Sequence, residues 1–468
     1  MSAEPVPSEP VALPPPPAPG PPARFVTGSI MRHILVMTGT GAVGLMAIFI
    51  GDFVNILFLG LLGDVAVLAA VGYAASLLFF TISAGIGLAI ATASLVSPAL
   101  GAGDSQRARR LSTNLFIASV LTSLLILAIM WPLLRTLLEA IGASGRTLDL
   151  ALAYSQLVVP TVPLLVIAMC AAAILRSVGD ARRAMYVTLS GAVVNVVLDP
   201  IFILWLGWGL QGAAIATIFA RLCGVALGFW LVVRVYKLAA RPRWDEFRAD
   251  FPLILKFSVP AVLANIATPV SNALVTLTIA RFSDAAVAGW AVVGRITPLA
   301  FGAIFAMSGS IGPIIGQNLG ARQFDRVRLA LSEALRAAVY FTAIAWAALF
   351  LLAPALVRLF GAKGEAADLI VFNCRWMAPL FVFFGLLFVS NAACNTLGRP
   401  HYATILNWGR ATLGTLPFTA VGAHLGGAKG VLAGYMAGGV VFGLIALMVV
   451  FRLVRTLEQD FGKARSMR

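Results

Sequence analysis

Two carboxylates stand where hydrocarbon is expected. Asp52 and Asp199 each fall well inside an apolar run, whereas Asp64, Glu139, Asp149, Asp284, Glu333, Glu365 and Asp368 lie at the ends of such runs or between them. A charge within a bilayer is costly, so an intramembrane acid is a functional candidate by default. Asn195 precedes Asp199 by about one helical turn and shares its face. Pro200 has no N–H, which frees the carbonyl of Val196 beside the carboxylate. Thr217 lies nine residues beyond a turn near Trp208 and Asp199 nine before it, so a rise of ~1.5 Å per residue puts both ~13 Å below one surface. The same rise puts Asp52, eleven residues before Gly63, ~16 Å deep. Two carboxylates, an amide, a hydroxyl and a free carbonyl at similar depth suit a proton or a sodium ion. Nearby carboxylates in a dry site repel until one of them holds a proton. The same oxygens are also ligands for a hard cation. Either acid taken alone can merely tie helices together by hydrogen bonds; the pairing argues for an ion site.

The elements that must position these groups are membrane helices. Of the 468 residues, 60% are hydrophobic and 11% charged, with a mean hydropathy of +0.95. Soluble chains carry roughly 25% charged residues, so this one lacks the polar surface to face water all round. Crossing ~30 Å of hydrocarbon takes ~20 apolar residues. Such runs are expected near 34–61, 66–96, 111–138, 148–175, 184–206 and 209–236, then near 254–281, 286–316, 330–359, 366–396, 401–421 and 429–453. The fold class is an all-α membrane protein of twelve transmembrane helices. The net charge of +15 follows membrane topology and does not indicate nucleic acid. Cys170, Cys223, Cys374 and Cys394 have no metal-ligand spacing and read as buried free thiols.

With this span count, 24 of the 34 Lys and Arg residues fall on one side and seven on the other, leaving Arg221, Arg295 and Arg410 inside spans. The positive-inside rule then puts both termini in the cytoplasm. The halves repeat: Leu100-Gly101-Ala102 and Leu319-Gly320-Ala321, Gly142-Ala143 and Gly361-Ala362, and Gly179 and Gly398 are three matches at one constant offset. Six spans per half give both halves the same orientation, related by a pseudo-twofold along the membrane normal. The expected organisation is a disordered Pro-rich tail at 1–30, a six-helix lobe at 31–236, a cytoplasmic linker at 237–253, a second lobe at 254–456 and a basic tail at 457–468. Trp244, Phe247 and Phe251 suggest a short interfacial helix in the linker.

The run Arg176-Ser-Val-Gly179-Asp180, then Asn195-Val-Val-Leu198-Asp199-Pro200, then Gly212-Ala-Ala-Ile-Ala-Thr217, resembles the multidrug and toxic compound extrusion (MATE) transporters. It is most similar to their damage-inducible (DinF-like) branch. The resemblance covers all twelve spans and implies a secondary active antiporter in the inner (plasma) membrane. Such a protein exports small organic compounds, often cationic or amphipathic, in exchange for protons or sodium ions by alternating access. It implies a coupling-ion site in the N-terminal lobe at Asp52, Asn195, Asp199 and Thr217, with Tyr154 of the fourth span in the same network. Sodium, if it is the ion, falls on those first four residues.

Departures from the family pattern are visible. Thr268 stands where another branch has a glutamate, and the first span has no proline. Gly39, Gly41 and Gly44 supply flexibility or close packing there instead, and the repeat partner of Gly41 is Pro260. Gly39-Thr-Gly41-Ala-Val-Gly44 fits a dinucleotide fingerprint only by letter, since no strand precedes it. Arg295 and Arg410 either line the cavity or tie helices through carbonyls. No cofactor beyond the coupling ion is expected, and the partners are the bilayer and the export substrates, with the chain a monomer. The rival readings are a lipid-linked precursor flippase of the same superfamily, for which three intramembrane arginines are few, and a membrane-embedded enzyme, for which no catalytic cluster appears.

Overall fold

The computed structural model describes residues 23–466, and every regular element among them is helical. The first six helices are α1 (Ile30–Gly60), α2 (Val65–Gly101), α3 (Ser105–Ala140), α4 (Gly145–Val178), α5 (Ala181–Trp205) and α6 (Gly209–Val235). The second six begin with α7 (Trp244–Ile279) and α8, whose arms Asp284–Ala300 and Gly302–Gly320 meet at 50°. They continue with α9 (Phe324–Leu359), α10 (Gly364–Thr396), α11 (residues 400–425) and α12 (residues 428–466). The last two are separated only by Gly426 and Gly427, the latter at φ 56°. A Cβ on Gly422, Gly434 or Gly438 would collide with the carbonyl of Gly430, Phe418 or Gly414 respectively, each in the facing helix, so this hairpin closes backbone against backbone.

Proline breaks recur at the repeat offset. Pro160 gives α4 a 3₁₀ turn at Val159–Thr161, and its repeat partner Pro379 gives α10 one at Ala378–Leu380. A ring without an N–H cannot complete the helical ladder, so the same residue makes the same bend twice. Several acids at span ends prove to be helix caps. Asp64, Asp104 and Asp180 accept from the backbone N–H of Ala66, Arg107 and Arg183, satisfying donors a helix start leaves orphaned.

The two halves interlock on the face that carries most Lys and Arg, here called the basic face. Gly41 of α1 packs on Ala306, and Gly87 and Gly101 of α2 pack on Val262 and Gln317. All these partners lie in α7 or in the second arm of α8. The first arm of α8 packs mainly on α10, within its own half.

Three expected boundaries are corrected. Residues 24–30 form no free tail: Arg24–Val26 is a 3₁₀ turn whose Phe25 is 2% exposed. The Phe25 N–H donates to Gln317 Oε1 at 2.8 Å, and its carbonyl accepts from Arg326 at 2.9 Å and Asn318 at 3.2 Å. Gln317 Nε2 also donates to the Ser177 carbonyl at the end of α4, at 2.6 Å, so this strap joins both halves. Gly179, at φ 89°, lies directly under Arg24 and Phe25, where a side chain would be strained and crowded. The Pro-rich stretch before it lies outside the described residues. The linker shortens to residues 237–243, because Trp244 already opens α7 as one continuous helix. Asp250 near its start receives Arg110 of α3 through two bonds, at 3.0 and 2.8 Å, and Asn114 at 2.8 Å. The basic C-terminal segment continues α12 to Ser466.

Candidate functional site

The polar centre of the first half is assembled from α1, α4, α5 and α6. Asp199 is the last residue but one of the α-helical part of α5 and is fully buried. Pro200 follows, and then a π-helical turn at Ile201–Trp205, the wide turn that a missing donor permits. Asn55 Nδ2 of α1 donates to Asp199 Oδ2 at 3.0 Å. Among the described residues Asp199 Oδ1 has no partner, nor does the buried Oδ1 of Asn195 one turn earlier. Asp52 stands close enough to act electrostatically on both Asp199 and Tyr154. Tyr154 is 8% exposed and lies beside Thr217, whose hydroxyl donates to the Ala213 carbonyl at 3.0 Å. Arg221, one turn beyond Thr217, donates to the Val158 carbonyl at 3.0 Å and to Thr161 Oγ1 at 2.7 Å.

Asp52, Asp199, Tyr154 and Thr217 are therefore brought together, and Asn195 shares their neighbourhood through its helix face. The expectation of a dry site for both carboxylates needs correction at Asp52. Asp52 is exposed, beside the exposed Phe53, because none of the described helices seals that face of α1. One acid is sealed and one is open. Sequence reasoning missed Asn55, although its spacing of three from Asp52 puts it on the same helix face. It also left Arg221 outside the site, although it follows Thr217 by four. Two buried acceptors without donors, on Asp199 and Asn195, are the complement of a proton or an alkali cation. The donor set of carboxylate, amide and hydroxyl oxygens fits either.

The remaining candidates divide. Gly41 packs closely on Ala306, whereas Gly39 faces open space among the described residues, so the packing role expected for it falls away. Arg295 lies on the exposed face of α8's first arm. Arg410 is 2% exposed within the second half, where its guanidinium meets the hydroxyls of Ser271 and Thr268 rather than a carbonyl.

The MatE family model matches residues 42–201 and again 260–421, so one pattern occurs twice, once in each half. A FAD transporter of Shewanella oneidensis is 26% identical over 441 residues, covering 92% of this chain and 97% of that protein. The multidrug export protein MepA of Staphylococcus aureus is 22% identical over 427 residues, 89% of this chain and 93% of its own length. The crystal structure of the Vibrio cholerae MATE transporter VcmN in the bent form superposes with a TM-score of 0.86 at 25% identity, over 91% of this chain and 97% of that one. With the duplicated pattern, the twelve-helix architecture and the match along nearly the whole length, the chain belongs to the MatE family and is a multi-pass membrane transporter that exports small molecules.

Proposed function

We propose that the chain is a proton- or sodium-driven antiporter whose coupling site is Asp199 with Asp52, supported by Asn55, Asn195, Thr217 and Tyr154. The observation that carries this is the half-satisfied state of Asp199: fully buried, one oxygen held by Asn55 and the other without a donor among the described residues. A buried carboxylate oxygen without a partner is expensive, and binding a cation relieves that cost. Asp52, open and close by, is the entry point; Asp199 is the sealed receiver. Thr217 and Tyr154 link α6 and α4 to the pair, so occupancy of the site bears on how three helices pack against α5.

The basic face is cytoplasmic, as the distribution of Lys and Arg argues, and the membrane is the plasma membrane, as suits an exporter of this family. The contacts that lock the halves there suit an outward-facing state, ready to take up an ion and release a substrate. Each inward unit charge draws ~2.3 kcal/mol per 100 mV from the membrane potential. Moving a two-state equilibrium from 1:99 to 99:1 takes ~5.5 kcal/mol, so the chemical gradient or more than one ion must contribute. The chain acts as a monomer, each half supplying one wall of the pathway. The relative named a FAD transporter makes flavins the first substrates to try, and the relatives named for multidrug export make organic dyes the second. The test is efflux from proteoliposomes under imposed proton or sodium gradients, for wild type, Asp52→Asn and Asp199→Asn. Unchanged driven efflux in both variants rejects this coupling site.

A further inference from the structure

The second half has a polar centre of its own, and its charge has the opposite sign. Arg410 sits on α11 just before that helix breaks at residues 412–415. Its two terminal nitrogens lie 3.4 Å from Ser271 Oγ and 3.5 Å from Thr268 Oγ1, the outer edge of hydrogen bonding, and its Nε has no partner among the described residues. The Phe384 ring centroid is 5.4 Å from the guanidinium carbon. Ser271 and Thr415 hydroxyls are 3.0 Å apart, and Thr415 donates to the Arg410 carbonyl at 2.9 Å. Ser271 is also the repeat partner of Asp52, at the same offset that relates Gly101 to Gly320. The place of a carboxylate in one half is thus taken in the other by a hydroxyl facing a cation.

Among the described residues no carboxylate reaches Arg410. Four acids of the second half are engaged elsewhere: Glu333 with Arg336, Glu365 with Ser283, Asp368 with Lys429 and Glu458 with Arg328. An arginine that merely ties helices is satisfied by carbonyls at short range, as Arg221 is at 3.0 Å. Arg410 is instead buried with its charge uncompensated and one donor idle, an arrangement that costs stability unless an anion completes it. Beside it α7 carries a polar stripe: Asn272 is exposed, Thr268 half-buried and Asn265 one turn further, at helical spacing.

We propose that Arg410, with Thr268 and Ser271, is a subsite for a carboxylate or phosphate group of the exported substrate. Guanidinium presents a planar fork of donors that matches two oxygens of either group. The break in α11 is where a discontinuous span places such a site. The proposal rests on the export reading but is tested apart from it, by equilibrium binding without any ion gradient.

The probes are riboflavin and riboflavin 5′-phosphate, which differ only in the phosphate, bound to the purified full-length protein in nanodiscs. Wild type is expected to bind the phosphate about tenfold tighter, the scale of one charge-assisted pair. Arg410→Gln removes that difference and keeps riboflavin binding, while Arg410→Lys retains part of it. Arg410→Gln also unfolds at no lower a temperature than wild type, which a structural tie would not allow. Equal or absent binding of the two probes by wild type, or a difference that survives in Arg410→Gln, overturns the proposal. If Arg410→Gln does not fold, competition in wild type decides: inorganic phosphate displaces the phosphate probe and spares riboflavin, or the subsite does not exist. Asp199→Asn keeps the full flavin difference, so lost efflux with an intact difference faults the coupling site alone.

Discussion

The two halves descend from one pattern, and their centres have diverged in charge. In the first, Asp52 is open, Asp199 is sealed, and Asn55 holds one oxygen of the sealed acid. In the second, the equivalent of Asp52 is Ser271, and the buried charge is the guanidinium of Arg410. The prolines that bend α4 and α10 remain in register, as do the glycine turns. Duplication therefore kept these two proline bends and the glycine turns while the charge at the centre changed. A backbone bend constrains every neighbour packed against it, whereas a polar side chain at a helix interface can be exchanged at the cost of its few hydrogen-bond partners.

That contrast breaks most readily at Asp199. Asp199→Asn is expected to lower gradient-driven efflux by at least about a hundredfold, since no differential ion binding remains to bias the lobes. Ser271→Ala, at the repeat equivalent of Asp52, leaves driven efflux of a neutral dye within about twofold. Proteoliposome efflux of the two variants side by side is the measurement; similar losses in both would mean the halves share the coupling task. Asn55→Ala comes next. It removes a hydrogen bond to an acid of a type worth about 1.5–3 kcal/mol, and efflux should fall roughly tenfold with folding intact.

Chemical labelling sharpens the difference between the two acids of the first half. A hydrophobic carbodiimide should modify the exposed Asp52 faster than the sealed Asp199, with mass spectrometry of the peptides reading the order; the reverse order contradicts the open-and-sealed arrangement. A smaller effect is expected at the strap. Gln317→Ala removes bonds to Phe25 and Ser177, at about 0.5 kcal/mol each, so labels across the basic face should report a lobe equilibrium shifted by roughly fivefold, with flavin binding unaltered. Smallest of all is Lys429→Ala, whose exposed pair with Asp368 contributes less than about 1 kcal/mol and should leave efflux and melting unchanged.

Much of this architecture was legible in the residues. Twelve apolar runs, the constant offset between matching glycines and the intramembrane acids are statements about hydropathy and spacing, which a bilayer enforces strictly. The cap roles of Asp64, Asp104 and Asp180 were within reach as well, since each directly precedes the helix it caps. Asn55 was harder: its type and spacing were visible, but pairing with the distant Asp199 depends on how α1 lies against α5. The strap was out of reach, because Arg24-Phe-Val carries no signal except the glycine and glutamine that receive it elsewhere in the chain.

The sequence by itself determined that this is a duplicated twelve-helix membrane protein with two acids in its first half. Hydrocarbon admits so few backbone arrangements that composition and period suffice for that much. The tertiary structure alone decided that one acid is sealed and the other open, that Asn55 rather than Asn195 holds the sealed one, and that Arg410 is buried without a counter-charge among the described residues. Burial and pairing are properties of facing surfaces, and those are set by which helices meet and at what depth.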